Sequence, residues 1–301
     1  MTSKIKIASA QYPITEHQSI DAWRNHINTW TQRAVQQGAD VLLFPEYGSM
    51  ELVSMLGKAV QSDLKQQIHA LNGIIDEFIT SFQQLSQRYG VTILAPSFPV
   101  VDEGSVVNRA FVFSKNGLGG YQDKFFMTRF EDEEWGVKSG EKVLTVFESD
   151  WGKFGIQICY DIEFPIGTAL LAQAGAHVIF VPSCTETIRG ATRVHIGARA
   201  RALENQVYTV VAQTVGEALW SPAVDLNYGY AGFYSTPDRF LPEEGILQLG
   251  TAQDSTWVYS TLDLSLIPQV RNDGQVFCFK DFQKVSLGLK DEEITIRHVR
   301  I

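Results

Sequence analysis

The stretch at residues 155–161 reads GIQICYD and places Cys159 where an apolar strand gives way to polar residues. A cysteine on such a bend presents its sulfur outward, and the backbone N–H of the next residue, Tyr160, is free to bind an oxyanion. The alternative is an inert buried thiol, which is the usual fate of a free cysteine. Taken alone, this stretch leaves both interpretations open.

Two other functional groups stand at predicted strand ends in the same way. Residues 41–46 read VLLFPE, so Glu46 follows a run typical of a strand buried in the middle of a sandwich. Lys124 ends the second strand of a predicted hairpin. Each has an ordinary alternative, a surface carboxylate after a turn and a solvated lysine. Together, however, a carboxylate, an ammonium and a thiol at three strand ends supply a base, a charge stabiliser and a nucleophile.

Helical and strand patterns alternate along most of the chain. Apolar spacing predicts helices at about residues 19–37, 64–89, 165–174 and 190–205, with short strands between them. From about residue 106 the pattern changes to hairpins before the alternation returns. We therefore predict an α/β fold in which two sheets pack together with helices outside.

Composition and charge exclude several classes of protein. The chain has 301 residues, of which 45% are hydrophobic and 20% charged, so it is neither disordered nor of low complexity. Its formal charge is −9 and no Lys/Arg-rich run occurs, so we expect no nucleic-acid partner. The apolar part of the N-terminus is too short for a signal peptide, and no apolar run approaches the ~18 residues of a membrane span. We therefore predict a cytoplasmic protein with no membrane partner.

The cysteine and histidine spacings contain no common ligand motif. The three cysteines, Cys159, Cys184 and Cys278, form no C-x-x-C, and the six histidines form neither H-x-H nor H-E-x-x-H. We therefore predict no disulfide framework, no metal site and no metal or organic cofactor.

The segments at Glu46, Lys124 and Cys159 resemble the three signatures of the nitrilase (carbon–nitrogen hydrolase) superfamily, in its amidase-like branch. The residues that carry the resemblance are FPE ending at Glu46, the Lys124 segment, and ICYD around Cys159 with a following FP. The order matches, with 78 residues from Glu46 to Lys124 and 35 from Lys124 to Cys159. Residues 199–208 resemble the helix and strand that follow the nucleophile in this family. The similarity extends from about residue 4 to about residue 263.

The resemblance implies a four-layer αββα sandwich formed by residues 1–264, in which two mixed sheets pack face to face with helices outside. Residues 265–301 would then be a C-terminal tail. Its apolar residues, which include Phe277 and Phe279, would be partly exposed in a monomer. We expect the tail at the interface of a homodimer or larger even oligomer. The alternative is that the tail folds onto its own subunit.

The resemblance also implies a role for each catalytic candidate. Glu46 takes the thiol proton of Cys159 and later activates water, while Lys124 and the backbone N–H of Tyr160 hold the oxyanion. A neighbouring lysine also favours the thiolate form of a cysteine.

The family has a second glutamate a few residues before a glycine. Aligning Gly140 without gaps selects Glu133, and Glu134 is its nearest competitor. We also take Tyr47, Glu134 and Thr185 as candidates for substrate binding.

These observations predict a hydrolase that cleaves the non-peptide C–N bond of a small linear amide through a thioester on Cys159, releasing ammonia or an amine. An N-carbamoyl-amide hydrolase and a nitrilase are alternatives, and a non-catalytic scaffold on the same fold is an alternative from a different class. Glu163 stands where many relatives have Arg, so the identity of the substrate does not carry over from them.

Overall fold

The computed structural model describes residues 4–288 and Arg297. The α-helices in this part of the chain are α1 (Ile20–Gln36), α2 (Lys58–Gln61), α3 (Leu64–Leu71), α4 (Ile75–Tyr89), α5 (Pro165–Gln173), α6 (Ile188–Asn205), α7 (Leu266–Asp273) and α8 (Cys278–Gly288). Two 3-10 helices (Gly48–Met55 and Cys159–Glu163) and a π-helical turn (Phe130–Trp135) carry residues of the candidate site. None of the described helices is long and apolar enough to cross a membrane.

Three strands have ten residues each, and the others are shorter. They are β1 (Lys4–Pro13), β2 (Val41–Leu43), β3 (Thr92–Leu94), β4 (Phe98–Asp102), β5 (Ser105–Ser114), β6 (Gly117–Asp123), β7 (Val137–Lys138), β8 (Phe147–Ser149), β9 (Gly152–Ile156), β10 (Val178–Ser183), β11 (Tyr208–Glu217), β12 (Leu226–Asn227), β13 (Gly232–Tyr234), β14 (Ile246–Leu249) and β15 (Thr256–Asp263).

Hydrogen bonds join these strands into one mixed sheet, whose main path runs β4-β5-β3-β2-β1-β11-β10-β9-β8. The prediction of an α/β fold with mixed pairing is confirmed, but that of two separate sheets is wrong. The physical reason is the length of β1. Residues 7–9 of this strand pair with β2, and residues 11–13 pair with β11, so a single strand connects the two halves.

The two halves nevertheless share one apolar core. Ile7 and Leu43 from the first half belong to the same buried cluster as Ile156, Val178 and Val210 from the second. Burial of these aliphatic side chains is the main favourable contribution to folding. A second cluster packs α1 and α4 against the other face of β1 and β2. The strand ends that carry the candidate site are therefore anchored from both faces.

The helix predicted at residues 64–89 is two helices in the structure, α3 and α4. The break contains Asn72 and Gly73, both poor helix formers. The Asn72 side chain donates to the carbonyl oxygen of Pro99 (3.2 Å) and accepts from the backbone N–H of Val101 (2.8 Å). Because these bonds bind the break to β4, tertiary contacts decide where the helix ends.

The described part of the predicted tail packs on its own chain. Ile267 in α7 belongs to the main core, and Phe279 in α8 packs against it. The Gln206 side chain donates to the carbonyl oxygen of Val276 (3.1 Å) and accepts from the backbone N–H of Phe279 (3.3 Å). Residues 289–296 and 298–301 of the predicted tail lie outside the described residues. The homodimer therefore stays a prediction.

Candidate active site

The structure brings Glu46, Lys124 and Cys159 together at the ends of β2, β6 and β9. The Lys124 Nζ donates to Glu46 Oε1 over 2.7 Å, and both side chains are 1% exposed. The Cys159 thiol donates to the carbonyl oxygen of Cys184 over 3.7 Å, and the negative charge of Glu46 acts on the same thiol. Three residues far apart in sequence therefore lie at one site, because their strands end at the same place in the sheet.

The backbone at Cys159 has a left-handed conformation, with φ of 49°. Such a conformation is uncommon for a residue other than glycine, and it is found where surrounding structure holds the backbone in place. Cys159 begins the 3-10 helix Cys159–Glu163, so the N–H of Tyr160 lies in a first turn, where backbone N–H groups lack partners within the helix. The bend predicted from the sequence is present, and the role of the Tyr160 N–H as an oxyanion donor stays a prediction.

Asp161 fixes this turn to the segment that follows Lys124. Its carboxylate accepts from the backbone N–H groups of Phe126 (2.8 Å), Phe125 (3.2 Å) and Ile158 (3.2 Å). Burial raises the pKa of Asp161 to about 7, while Lys124 and the three N–H donors oppose that rise. One buried carboxyl group thus sets the position of the lysine relative to the cysteine, a role that sequence reasoning did not assign.

The second glutamate in contact with Lys124 is Glu131, and the expectation of Glu133 is wrong. The Lys124 Nζ donates to Glu131 Oε2 over 2.6 Å, whereas the Glu133 side chain is 56% exposed and pairs with Arg129. The π-helical turn Phe130–Trp135 directs Glu131 inward and Glu133 outward.

A signal for Glu131 was present in the sequence. Residues 128–131 read TRFE, which is the S/T-x-x-E form of a capping box. In the structure the backbone N–H and the hydroxyl of Thr128 both donate to Glu131 Oε2 over 2.9 Å. The alignment on Gly140 missed this local pairing.

Three further residues complete the network around the carboxylates. The Tyr47 hydroxyl donates to Glu131 Oε1 over 2.8 Å, so this predicted substrate-binding group is engaged in holding Glu131. Asn108 in β5 donates to Glu46 Oε1 over 2.9 Å, and the backbone N–H of Cys184 donates to Glu46 Oε2 over 2.9 Å. Asn108 and Cys184 contact the site through strands distant in sequence, and no motif marked either contact.

The charges of the cluster are set by burial and by the lysine. Burial works to lower the pKa of Lys124, but Glu131 and Glu46 outweigh it and raise that pKa well above its ordinary value. Burial raises the pKa of Glu46, with Lys124 opposing. For Glu131 the effect of Lys124 and of its other donors exceeds that of burial, so its pKa is lowered. The lysine is therefore a fixed cation, and Glu46 is the more easily protonated of the two carboxylates.

The resting state of Cys159 differs from the expectation that the lysine favours a thiolate. Burial and the negative charge of Glu46 raise the pKa of the Cys159 thiol well above its ordinary value, and the opposing effect of Lys124 is smaller. The thiol is therefore protonated at neutral pH. A reaction that uses this sulfur as a nucleophile needs a base near it. Glu46 is the candidate, because its charge acts on the thiol more strongly than that of Glu131.

A cavity of about 400 Å³ opens beside the cluster. Cys159, Tyr160, Glu134 and Thr185 line it, which places the predicted substrate-binding residues at its wall. The hydroxyl of Thr185 donates to the carbonyl oxygen of Tyr228 over 2.8 Å, so it is already engaged. The volume suits a small molecule.

The outer part of this cavity is acidic. Glu134, Glu163, Glu186 and Asp225 line it, and among the described residues Arg193 is the one basic lining residue besides Lys124. The Arg193 Nε lies 3.3 Å from Glu163, the residue at which the chain departs from the family pattern. No Lys or Arg in the described residues forms an ion pair with the other three acids. Among the described lining residues, acidic side chains therefore outnumber basic ones in this part of the cavity.

The fold and the cluster define a nitrilase-like α/β protein. The structure aligns with that of an amidase from Nesterenkonia sp. AN1, a mutant with the acetamide moiety of fluoroacetamide covalently added at the active-site cysteine. The TM-score is 0.70 at 17% identity, and the alignment covers 93% of this chain and 96% of that chain. This likeness concerns the fold alone.

The chain belongs to the carbon-nitrogen hydrolase family, whose model matches residues 6–259. It is 33% identical over 277 residues to the probable hydrolase YhcX of Bacillus subtilis (strain 168). This alignment covers 92% of this chain and 53% of that protein. It is 31% identical over 195 residues to the deaminated glutathione amidase of Synechocystis sp. (strain PCC 6803 / GT-S), covering 61% of this chain and 68% of that protein. The chain thus spans about half the length of the Bacillus relative.

Replacing Glu131 by glutamine is expected to lower kcat/KM by ~10²-fold or more, because Lys124 loses one of the two charges that hold its ammonium group in place. The matched control is Glu133→Gln, two residues away and exposed, which is expected to leave kcat/KM unchanged. Steady-state kinetics of both folded variants on the same amide measure the difference. Equal losses in the two variants, or none in Glu131→Gln, would contradict the assignment of Glu131.

Proposed function

We propose that this protein hydrolyses the C–N bond of a small linear amide through a thioester on Cys159. The observation that carries the proposal is that Cys159 lines one cavity together with Glu46 and Lys124, whose side chains are hydrogen-bonded to each other. A base, a nucleophile and a fixed cation then lie within one cavity wall. Membership of the carbon-nitrogen hydrolase family and the likeness to amidases support the same reaction class.

In the acylation step, Cys159 Sγ forms a bond to the carbonyl carbon of the amide while its proton passes to Glu46. Negative charge then develops on the carbonyl oxygen, where the Lys124 ammonium and the N–H of Tyr160 stabilise it. Collapse of the tetrahedral intermediate breaks the C–N bond, and the proton held by Glu46 leaves with the nitrogen as ammonia or an amine. The product bound to the enzyme is a thioester.

In the deacylation step, Glu46 takes a proton from a water molecule whose oxygen attacks the thioester carbon. The C–S bond breaks, the carboxylic acid leaves, and the proton returns to the sulfur. Since burial raises the pKa of Glu46, this residue accepts and releases a proton more readily near neutral pH than an ordinary carboxylate would. Lys124 stays protonated throughout because two carboxylates hold it.

The acidic outer cavity restricts the charge of the substrate. An amide that carries a carboxylate would bring its negative charge beside Glu134, Glu186 and Asp225, for which the described residues provide no Lys or Arg partner, while Arg193 is shared with Glu163. Like charges at short range are unfavourable in a partly desolvated cavity. We therefore propose that the substrate is a neutral or positively charged amide.

Three primary amides of equal chain length, one unsubstituted, one with a terminal amine and one with a terminal carboxylate, test this proposal. When ammonia release is measured, the amide with the terminal carboxylate is expected to have the lowest kcat/KM of the three. The double variant Glu134→Gln, Glu186→Gln should reduce the difference in kcat/KM between the carboxylate amide and the other two, because it removes two of the repelling charges. If the carboxylate amide is the best of the three, the assignment of substrate charge is wrong.

The same assay separates the other functions. Hydrolysis of an N-carbamoyl compound or of a nitrile, without hydrolysis of any amide, would support those alternatives. A folded wild-type chain that releases no ammonia from any of these compounds would support the scaffold. The proposal has three further parts, all of which come from the sequence. They are assembly as a homodimer or larger even oligomer, action without a cofactor, and a cytoplasmic location.

A further inference from the structure

Three potential metal ligands converge at a place outside the active-site cavity. His17 precedes α1, His26 lies within α1, and Glu51 lies in the 3-10 helix Gly48–Met55. One possible ligand atom from each of these residues lies within 4.8 Å of the other two. None of the three lines the cavity at Cys159. The cluster therefore belongs to a different part of the molecule.

The polar atoms of this cluster are incompletely satisfied. Glu51 Oε1 accepts from the Tyr12 hydroxyl (2.8 Å) and from the indole N–H of Trp23 (2.7 Å). Within the described residues, Glu51 Oε2, His17 Nε2 and His26 Nε2 are all buried without a hydrogen-bond partner. A buried polar atom left without a partner costs about 1–3 kcal/mol, so three in one place call for an explanation.

The separation of two of these atoms fits a shared ligand better than a direct bond. His17 Nε2 lies 3.4 Å from Glu51 Oε2, beyond the usual 2.7–3.2 Å range of an N–H···O bond. Two ligands at about 2.05 Å from a tetrahedral zinc ion are separated by about 3.3 Å. The observed distance is therefore close to the separation that a zinc ion between the two atoms would impose.

The charge of the cluster also favours a cation. Glu51 is 1% exposed, and no Lys or Arg in the described residues forms an ion pair with it; its contact with a basic group is to His17 at 3.4 Å, and an imidazole carries charge only when protonated. Buried carboxylates are normally paired or bound to metal. Imidazole nitrogen and carboxylate oxygen are ligands that suit Zn²⁺ and other divalent first-row transition ions.

We propose that His17, His26 and Glu51 form a binding site for a divalent first-row transition ion such as Zn²⁺. The ion would connect α1 and the segment before it to the 3-10 helix Gly48–Met55. That helix follows directly on Glu46 and Tyr47, so the ion stabilises the wall behind the catalytic glutamate. Its role is structural, because none of its ligands contacts the reacting atoms.

The test uses the full chain after treatment with a chelator and removal of the chelator. Zn²⁺ is expected to bind with a stoichiometry of one per chain, measured by elemental analysis after gel filtration. It should raise the melting temperature by about 5 °C at a concentration of about 100 Kd, whereas Mg²⁺ should not. Co²⁺ in its place should give visible bands of a four-coordinate site without the near-ultraviolet charge-transfer band of a thiolate ligand.

The variant His26→Gln is expected to weaken Zn²⁺ binding at least ~10-fold, since it removes one of three protein ligands. The matched control is His177→Gln, another half-buried histidine far from the cluster, which should bind as the wild type does. Failure of the wild type to bind Zn²⁺, equal binding by both variants, or a thiolate band with Co²⁺ would overturn the proposal. If the His26→Gln variant does not fold, the Co²⁺ spectrum of the wild type decides the question.

Discussion

Replacing Cys159 by alanine is expected to abolish amide hydrolysis, because alanine cannot form the thioester. Cys159→Ser should lose about 10⁴-fold or more in kcat, since an alkoxide is much harder to generate than a thiolate and Glu46 is a weak base for a hydroxyl. Ammonia release from the best amide of the wild type measures both losses. Turnover in Cys159→Ala above the uncatalysed rate would rule out this cysteine as the nucleophile.

The control for this experiment is Cys278→Ala. Cys278 is half-buried in α8 and does not line the cavity, so its variant should keep the activity of the wild type. The structure also predicts the state of the resting enzyme. Because the pKa of Cys159 is raised by burial and by Glu46, both Cys159 variants replace a neutral side chain by a neutral one, and the charge of the cluster should not change.

Replacing Glu46 by glutamine is expected to lower kcat by ~10²-fold or more, because the variant keeps the shape of the site but has no base to take the thiol proton. Deacylation needs the same base, so any thioester that forms should accumulate. Intact mass spectrometry of the variant after mixing with substrate measures the acylated fraction. Wild-type turnover in Glu46→Gln would show that another group is the base.

The partner variant, Lys124→Ala, should be about as inactive and also much less stable. A lysine at an exposed strand end would have little effect on melting, and the sequence places Lys124 at the end of a predicted strand. The structure changes that expectation, since Lys124 is 1% exposed between two buried carboxylates. Removing the cation leaves both charges unpaired, which costs about 3–5 kcal/mol. Lys115→Ala, which removes an exposed lysine, is the control and should change the unfolding free energy little.

The acidic residues after Lys124 show where sequence reasoning reaches its limit. Glu131, Asp132, Glu133 and Glu134 are adjacent, and helical geometry alone does not say which one faces inward. The π-helical turn rotates the side chains differently from an α-helix, so an ungapped alignment selected the wrong glutamate. The deciding contact, from Thr128 to Glu131, is local and could have been found as a capping pattern.

The positions of Glu46, Lys124 and Cys159 were decided by the sequence alone. Glu46 and Cys159 follow apolar runs typical of buried strands, and Lys124 follows the second strand of a hairpin, so each stands where a strand ends. The same local rule predicted α1, α5 and α6 from apolar spacing, because a helix that packs on a sheet must present one apolar face.

The tertiary structure alone decided which groups meet and in which charge state. The Asn108 bond to Glu46, the joining of both halves through β1, and the meeting of His17 and His26 with Glu51 all involve segments brought together by folding. The pKa of Cys159 likewise depends on burial and on a glutamate 113 positions away in sequence. Hydrogen bonds and charge interactions depend on distances in space, and sequence spacing determines such distances only within a helix, a strand or a turn.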